Sequence, residues 1–300
     1  MVRADHVNPI SATAYYCCGV RMDDAASVPS IVGDIYAKRF MDERAMQIYE
    51  PFRADRMAAV SNAVRCRIID DLLREELRRN ERTRIVTIGA GFDTRPYRLA
   101  GGTWIELDEL PIIDYKNSKL AVAESPNPLA RIAIDFSTET IASKLEHAAG
   151  NAPVVVVIEG VFTYLEPPAV ASTLSQLQRL FPRHVLLCDL MNKRFFDAFA
   201  RSVHEKIMAA GARFSERPED PAAPFMEHGY VATDRIPMFE RTVQMGVLWK
   251  RTHMPNIVAR VLLALFRREF AGFAVHRFAF GGVQHVAAAS SRGHPLPQPP

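Results

Sequence analysis

The chain has 300 residues, 48% of them hydrophobic and 24% charged, enough for one large globular domain or a domain with an elaborate cap, and this composition excludes a disordered or fibrous protein. A formal net charge of +3 with scattered arginines gives no argument for a nucleic-acid partner. Four cysteines at irregular spacing, Cys17, Cys18, Cys66 and Cys188, read as reduced core thiols, and nine histidines without paired ligand spacing leave no metal expected. The N-terminus has no signal-peptide core, and the most apolar later run, IVARVLLALF, is interrupted by Arg260 and too short to span a bilayer, so a soluble cytoplasmic protein without a membrane partner is expected.

Residues 1–84 read as helical. SATAYYCCGVRM and AVRCRIIDDLLREELRRNE repeat apolar residues at three- and four-residue spacing, and the run REELRRNER is taken as the second helix's solvated face. Residues 85–190 alternate short apolar strands with helical stretches: RIVTIGAG, TWIELDE, ARIAID, APVVVVIEG and RHVLLCDLM. The β-branched run PVVVVIEG marks a strand buried on both faces. Such alternation predicts parallel βαβ units, hence a doubly wound α/β core with a mostly parallel seven-stranded sheet.

From 191 to 270 the pattern becomes helices and Pro-punctuated loops, a cap insertion whose Phe195, Phe196, Phe199, Phe225, Met226, Met238, Phe239, Met245 and Trp249 could form an apolar lid or simply pack onto the sheet. Residues 271–290 predict a C-terminal β-hairpin turning at Gly281-Gly282, and 291–300 a frayed Pro-rich tail. The whole of 1–290 is read as one domain.

In an open α/β sheet, ligands bind past the carboxyl ends of the strands, where a glycine-rich turn lets backbone approach them. Here β-strand VTI runs into Gly89-Ala90-Gly91, with Thr94 where a dinucleotide fold needs a third glycine, which opposes an NAD-dependent oxidoreductase. Glu106 and Asp108 end the next strand, where a carboxylate can accept both ribose hydroxyls of an adenosyl ligand. Asp108 can also cap the helix beginning near Pro111.

IGAGFDTRPYRL, then IELDELPIIDYK, then VIEGVFTYLEPPAV resembles the leucine carboxyl methyltransferase superfamily, in particular its bacterial branch that includes polyketide carboxyl O-methyltransferases of the tetracenomycin type. The likeness runs from ISATAYYCCGVRM and DIYAKRF through RCRIIDDLL to FMEHGYVA. It implies a Rossmann-like class I methyltransferase using S-adenosyl-L-methionine. Residue by residue, it implies Gly89, Ala90 and Gly91 at the methionine part, Asp108 at the ribose, and Asp135-Phe136 at the adenine. Glu159 would sit at the cofactor's amino-acid end. Arg65, with Arg67 as its rival, would lie near the cofactor or acceptor carboxylate, Tyr164 would face the transferring methyl, and Arg21 is a further basic candidate. Each has a structural alternative. Arg65 could pair with Asp70 or Asp71 on its own helix, Tyr164 could be a core aromatic, Asp135 could cap the helix of STETIASKL, and Arg95 and Arg98 read as anchors of the first helix.

The implied acceptor is a small, apolar, secondary-metabolite-like molecule with a carboxylate, acted on by a monomer or homodimer. A carboxylate, with pKa near ~4, needs no base; a phenol, near ~10, would need one, and His228, His253 and His276 are the candidates. Phenolic O-methylation and a non-catalytic S-adenosyl-L-methionine-binding protein stay as alternatives.

Overall fold

The computed structural model describes residues 9–150, 152–209, 211–215 and 217–282. Three helices come first: α1 Pro9–Ala25, α2 Glu43–Tyr49 and the long α3 Arg56–Arg79. The alternation follows as β1 Arg84–Ile88, α4 Arg95–Arg98, β2 Thr103–Asp108, α5 Leu110–Lys119, β3 Leu129–Ala133, α6 Ile141–Leu145, β4 Val154–Ile158, α7 Pro167–Leu180 and β5 His184–Met191. These five strands are parallel and lie where the apolar runs predict them.

Beyond β5, α8 Lys193–Phe195 continues through a π-helical turn at Phe196–Ala200 into α9 Arg201–Ala209. Then come α10 Ala223–Glu227, β6 Val231–Pro237, α11 Met238–Met245, α12 Leu248–Thr252, α13 Asn256–Leu265, α14 Arg267–Phe270 and β7 Phe273–Phe280.

The seven strands form one sheet in the order β3-β2-β1-β4-β5-β7-β6, with β7 antiparallel to both neighbours. The outer partner of β7 is therefore β6, a strand inside the segment that the sequence reads as helices and loops. The expected second arm of the hairpin, past Gly281-Gly282, and the expected tail lie outside the described residues. Val-Ala-Thr-Asp-Arg-Ile-Pro escapes recognition because an edge strand carries polar residues and tolerates a proline, so it lacks apolar alternation.

Strand alternation divides the core into two layers. Ile85, Val155, Val157, Val185 and Leu187 point to the face covered by Val64, Ile68 and Leu72 of α3. Val86, Ile88, Val154, Val156, Ile158 and Leu186 point to the other face, under α6 and α7. Both faces of β4 are thus covered, which is why its five residues are all β-branched and all buried.

Charge also joins α3 to the sheet. Fully buried Asp70 accepts Arg95 Nε at 2.6 Å and Arg98 Nη1 at 2.6 Å, so both arginines anchor the first βα turn to α3. Burial alone would raise the Asp70 carboxyl, but Arg98 and Arg95 outweigh it and hold the group below the usual carboxylate range. At the helix's other end the run read as solvated is engaged in part, since Arg277 of β7 reaches Glu75 at 2.6 Å and buried Glu76 at 3.0 Å. Replacing Asp70 by Ala leaves two buried guanidiniums short of a partner. A loss of about 3–5 kcal/mol is expected, read from urea unfolding; a loss within measurement error would mean that Arg95 and Arg98 are satisfied elsewhere.

Candidate active site

From β1 the sheet grows through β2 and β3 to one side and through β4 and β5 to the other, so the carboxyl ends of β1 and β4 open a crevice at the switch point of the sheet. There β1 breaks into Gly89-Ala90-Gly91. The Gly89 and Ala90 N–H groups donate to the Leu107 carbonyl of β2 at 2.9 and 3.2 Å. Gly89 and Gly91 have φ of +68° and +47°, and a Cβ on Gly89 would stand 2.5 Å from Val161 Cγ2, so only glycine fits this turn. A cavity of about 420 Å³ lies against it, walled by the turn, Asp108, Phe136, Glu159, Arg21, Arg65 and Tyr164 among others.

Asp108 faces the cavity and does not cap the helix that follows: the N-cap of α5 is Glu109, and no side chain caps it. One Asp108 carboxylate oxygen accepts the Gly91 N–H at 2.6 Å, the other accepts the Glu109 N–H at 2.7 Å at the start of α5, and the group lines the cavity. Burial pushes its carboxyl up to about 6, against the pull of those two N–H groups and of Lys116. Glu106, two residues back on the same strand face, is fully buried under α5. Its oxygens lie 2.8 Å from Lys116 Nζ and 2.9 Å from Arg131 Nε, and it does not line the cavity.

Of the Asp135-Phe136 pair, only Phe136 reaches the cavity. The Asp135 carboxylate is exposed and accepts hydrogen bonds from Ser137 and Thr138, so the pair is split: the acid closes its own turn and the ring lines the cavity wall. Arg21 is held by Asp34 at 2.9 Å and donates to the Phe92 carbonyl at 2.7 Å. Arg67 lines neither cavity described here and pairs with Asp71 at 2.9 Å, whereas Arg65 crosses from α3 to Glu159 at 2.9 Å and Asp189 at 3.2 Å. Glu159 meets Arg95 as well, at 2.8 Å, and the two guanidiniums hold its buried carboxyl below the usual range despite desolvation.

A second cavity of about 380 Å³ lies between the sheet and the 191–270 segment. Of the lid residues expected, Phe195, Phe199 and Phe239 line it. Phe225 instead stacks on Phe278 in the core below, and Met226 and Trp249 are exposed. Thr13, Cys17, Arg65, Gly160 and Tyr164 line both cavities and form the partition between them. Tyr164 follows β4 in a 3-10 turn, its hydroxyl hydrogen-bonded to the Thr13 side chain and its ring edge-on to Phe214 at 5.2 Å.

Sequence reasoning missed three polar members of this partition and the second cavity's floor: Thr13, Cys17 and Asp189. Asp189 lies near the end of β5, as Glu159 follows β4, and that repetition was the available signal. It accepts the Gly160 N–H at 2.6 Å as well as Arg65, and burial raises its carboxyl more than Arg65 lowers it. None of His228, His253 and His276 lines either cavity. Among the described residues no group of three or more His, Cys, Asp or Glu is placed to hold a metal ion.

The geometry separates the two acids of β2. Asp108→Ala is expected to weaken S-adenosyl-L-methionine binding by about 1–3 kcal/mol with the fold retained. Glu106→Ala, by stranding buried Lys116, should instead lower unfolding stability by about 3 kcal/mol or more. Calorimetric titration beside urea unfolding distinguishes them, and the reverse pattern would reverse the assignment. If ionised Asp108 accepts the cofactor's hydroxyls, wild-type affinity should be full about one pH unit above 6 and fall as the pH drops through 6; an affinity flat from pH 8 to 5 would remove Asp108 from the site.

The chain is similar to known proteins in sequence and in fold. A Streptomyces coelicolor relative, provisionally named an S-adenosyl-L-methionine-dependent methyltransferase, is 30% identical over 206 residues, spanning 66% of this chain and 71% of its own length. A Frankia alni protein of the same provisional name is 28% identical over 235 residues, spanning 73% and 82%. A solved DUF574 family protein of Streptomyces avermitilis superposes with a TM-score of 0.57 at 13% identity, over 90% of this chain and 99% of its own, a likeness of fold. The leucine carboxyl methyltransferase family model matches residues 19–178, which hold the glycine turn, Asp108, Glu159 and Tyr164: more than half of the chain is described by it, and the chain belongs to that family.

Proposed function

We propose that this methyltransferase uses S-adenosyl-L-methionine to esterify a carboxylate of an apolar small molecule, and that it does so across the partition between the two cavities. The observation that carries the reading is the shared wall: Arg65, Tyr164, Thr13, Cys17 and Gly160 border both spaces, so two ligands bound on either side would meet there.

The first cavity suits the cofactor. The glycine turn leaves backbone open to it, Asp108 in the wall would accept ribose hydroxyls, and Phe136 and Ile141 offer apolar walls for a base. Arg21, Arg65 and Glu159 would address its amino-acid end. When bound, S-adenosyl-L-methionine supplies a methyl group already activated on sulfonium. The chain's own residues have then to orient the acceptor and exclude water. The second cavity supplies an apolar enclosure, and its polar floor is Arg65 beside Asp189. Arg65 is already balanced by Glu159 and Asp189, so it would hold an acceptor by directed N–H bonds and not by excess charge. Tyr164, donating to the acceptor at the partition, would fix its angle of approach.

Tyr164→Phe is therefore expected to lower kcat by about tenfold to a hundredfold, the worth of one hydrogen bond to a charged group, while cofactor affinity holds. An unchanged kcat would make Tyr164 a packing residue. A second reading is favoured by one observation, the buried and raised Asp189 on the acceptor side. There it could take a proton from a hydroxyl acceptor, which a carboxylate does not require. Methyl label released as methanol by mild alkali identifies an ester and supports the first reading. Alkali-stable label, with Asp189→Asn inactive, identifies an ether and replaces it.

A further inference from the structure

Between Glu240 and Glu269 the chain contains no acidic residue, yet it carries Arg241, Lys250, Arg251, Arg260, Arg267 and Arg268. Helix α13 lies in this stretch. Ile257, Val261 and Leu265, one row at four-residue spacing, are 68%, 50% and 71% exposed, an apolar stripe facing outward. Arg260, Arg267 and Arg268 are exposed beside it, and no ion pair among the described residues includes them. The helix's inner side is different in kind: Ala259 is buried and Leu262 lines the second cavity. The two sides are linked by aromatic rings. Exposed Phe266 lies 6.5 Å from Phe199, which lines the cavity and stacks on Phe270 at 4.5 Å.

We infer that the α13 face seats on an anionic lipid surface, its apolar row entering the headgroup boundary and its arginines meeting lipid phosphates. Apolar area bordered by unpaired cationic side chains is the pattern of helices that lie in a membrane interface. Charge decides the occupant. A second copy docked through this face would bring together two cationic surfaces with no acidic residue between 241 and 268 on either to offset them, whereas anionic headgroups complement the arginines. No described helix is long and apolar enough to cross a membrane, so the contact is peripheral. The expectation of no membrane partner rested on the missing spanning segment, which an interfacial helix does not need. Resting on the acceptor assignment above, the aromatic track gives the seat a purpose: an apolar acid dissolved in the bilayer would pass along Phe266 and Phe199 into the cavity without crossing water.

The test is cosedimentation of the full chain with vesicles of equal parts phosphatidylglycerol and phosphatidylcholine, and with vesicles of phosphatidylcholine alone. Binding to the anionic vesicles only, weakened when salt is raised from about 0.1 M to about 1 M, is expected. Arg260→Gln with Arg268→Gln should lower partitioning about thirtyfold. Ile257→Ser with Leu265→Ser should lower it about tenfold or more, with thermal unfolding unchanged because both side chains are exposed. No sedimentation with anionic vesicles, or equal sedimentation with neutral ones, overturns the proposal. So does a dimer in solution that Leu265→Ser converts to monomer, which would make the face a self-association surface. Vesicle binding is read without methyl transfer, so its failure and a failure of the proposed reaction are seen separately.

Discussion

The buried chain of charge from Asp70 through Arg95 and Glu159 to Arg65 and Asp189 is the constraint on which the rest of the site depends. It joins four places remote in sequence: the middle of α3, the turn after β1, the end of β4 and the end of β5. Each of these groups would be costly to bury alone, and each is tolerable only because its neighbours meet it at hydrogen-bond distance. The positions of Arg65 at the partition and of Glu159 in the first cavity therefore follow from the same contacts that dock α3 on the sheet. Site geometry and packing are not separable here.

The network does not treat its acids alike. Arg21, Arg65, Arg95 and Arg98 face Asp34, Asp70, Asp93, Glu159 and Asp189, and half-buried Arg74 also reaches Asp70 at 4.0 Å. Asp189 and Asp93 each pair with one guanidinium, yet burial raises the first carboxyl against Arg65, whereas Arg95, Lys116 and Arg98 together hold the second below the usual range despite its burial.

Antiparallel β7 and β6 extend the sheet at the end opposite β3, and the segment that separates them in sequence folds back over the carboxyl ends of the strands. Insertion before the last strand lets the cap vary without disturbing the parallel half, because β7 is held by eight paired positions along β5. The second cavity is consequently built from two parts with different constraints: a floor of Arg65, Asp189 and Tyr164, and a wall of phenylalanines supplied by residues on both sides of β6, Phe195, Phe199 and Phe214 before it and Phe239 and Phe270 after it.

What the sequence by itself determined is the part governed by local pattern. The β-branched run of β4, the apolar strands before and after it, and a turn that only glycines can make announce a parallel sheet with a ligand crevice at Gly89-Ala90-Gly91, and the order of motifs announces the family. Tertiary structure decided everything that depends on which charge meets which. Glu106 and Asp108 are indistinguishable by alternation, yet Lys116 and Arg131 take the first and leave the second facing the cavity. Arg65 and Arg67 differ by two residues, and the 200° of helix between them sends one to Glu159 and the other to Asp71. Asp135 closes its own turn, and Asp189 becomes the cavity floor. A local pattern records which face of an element is apolar, because burial acts on each residue alone; a partner contributed from 94 or 124 positions away leaves no mark on its neighbours in the chain.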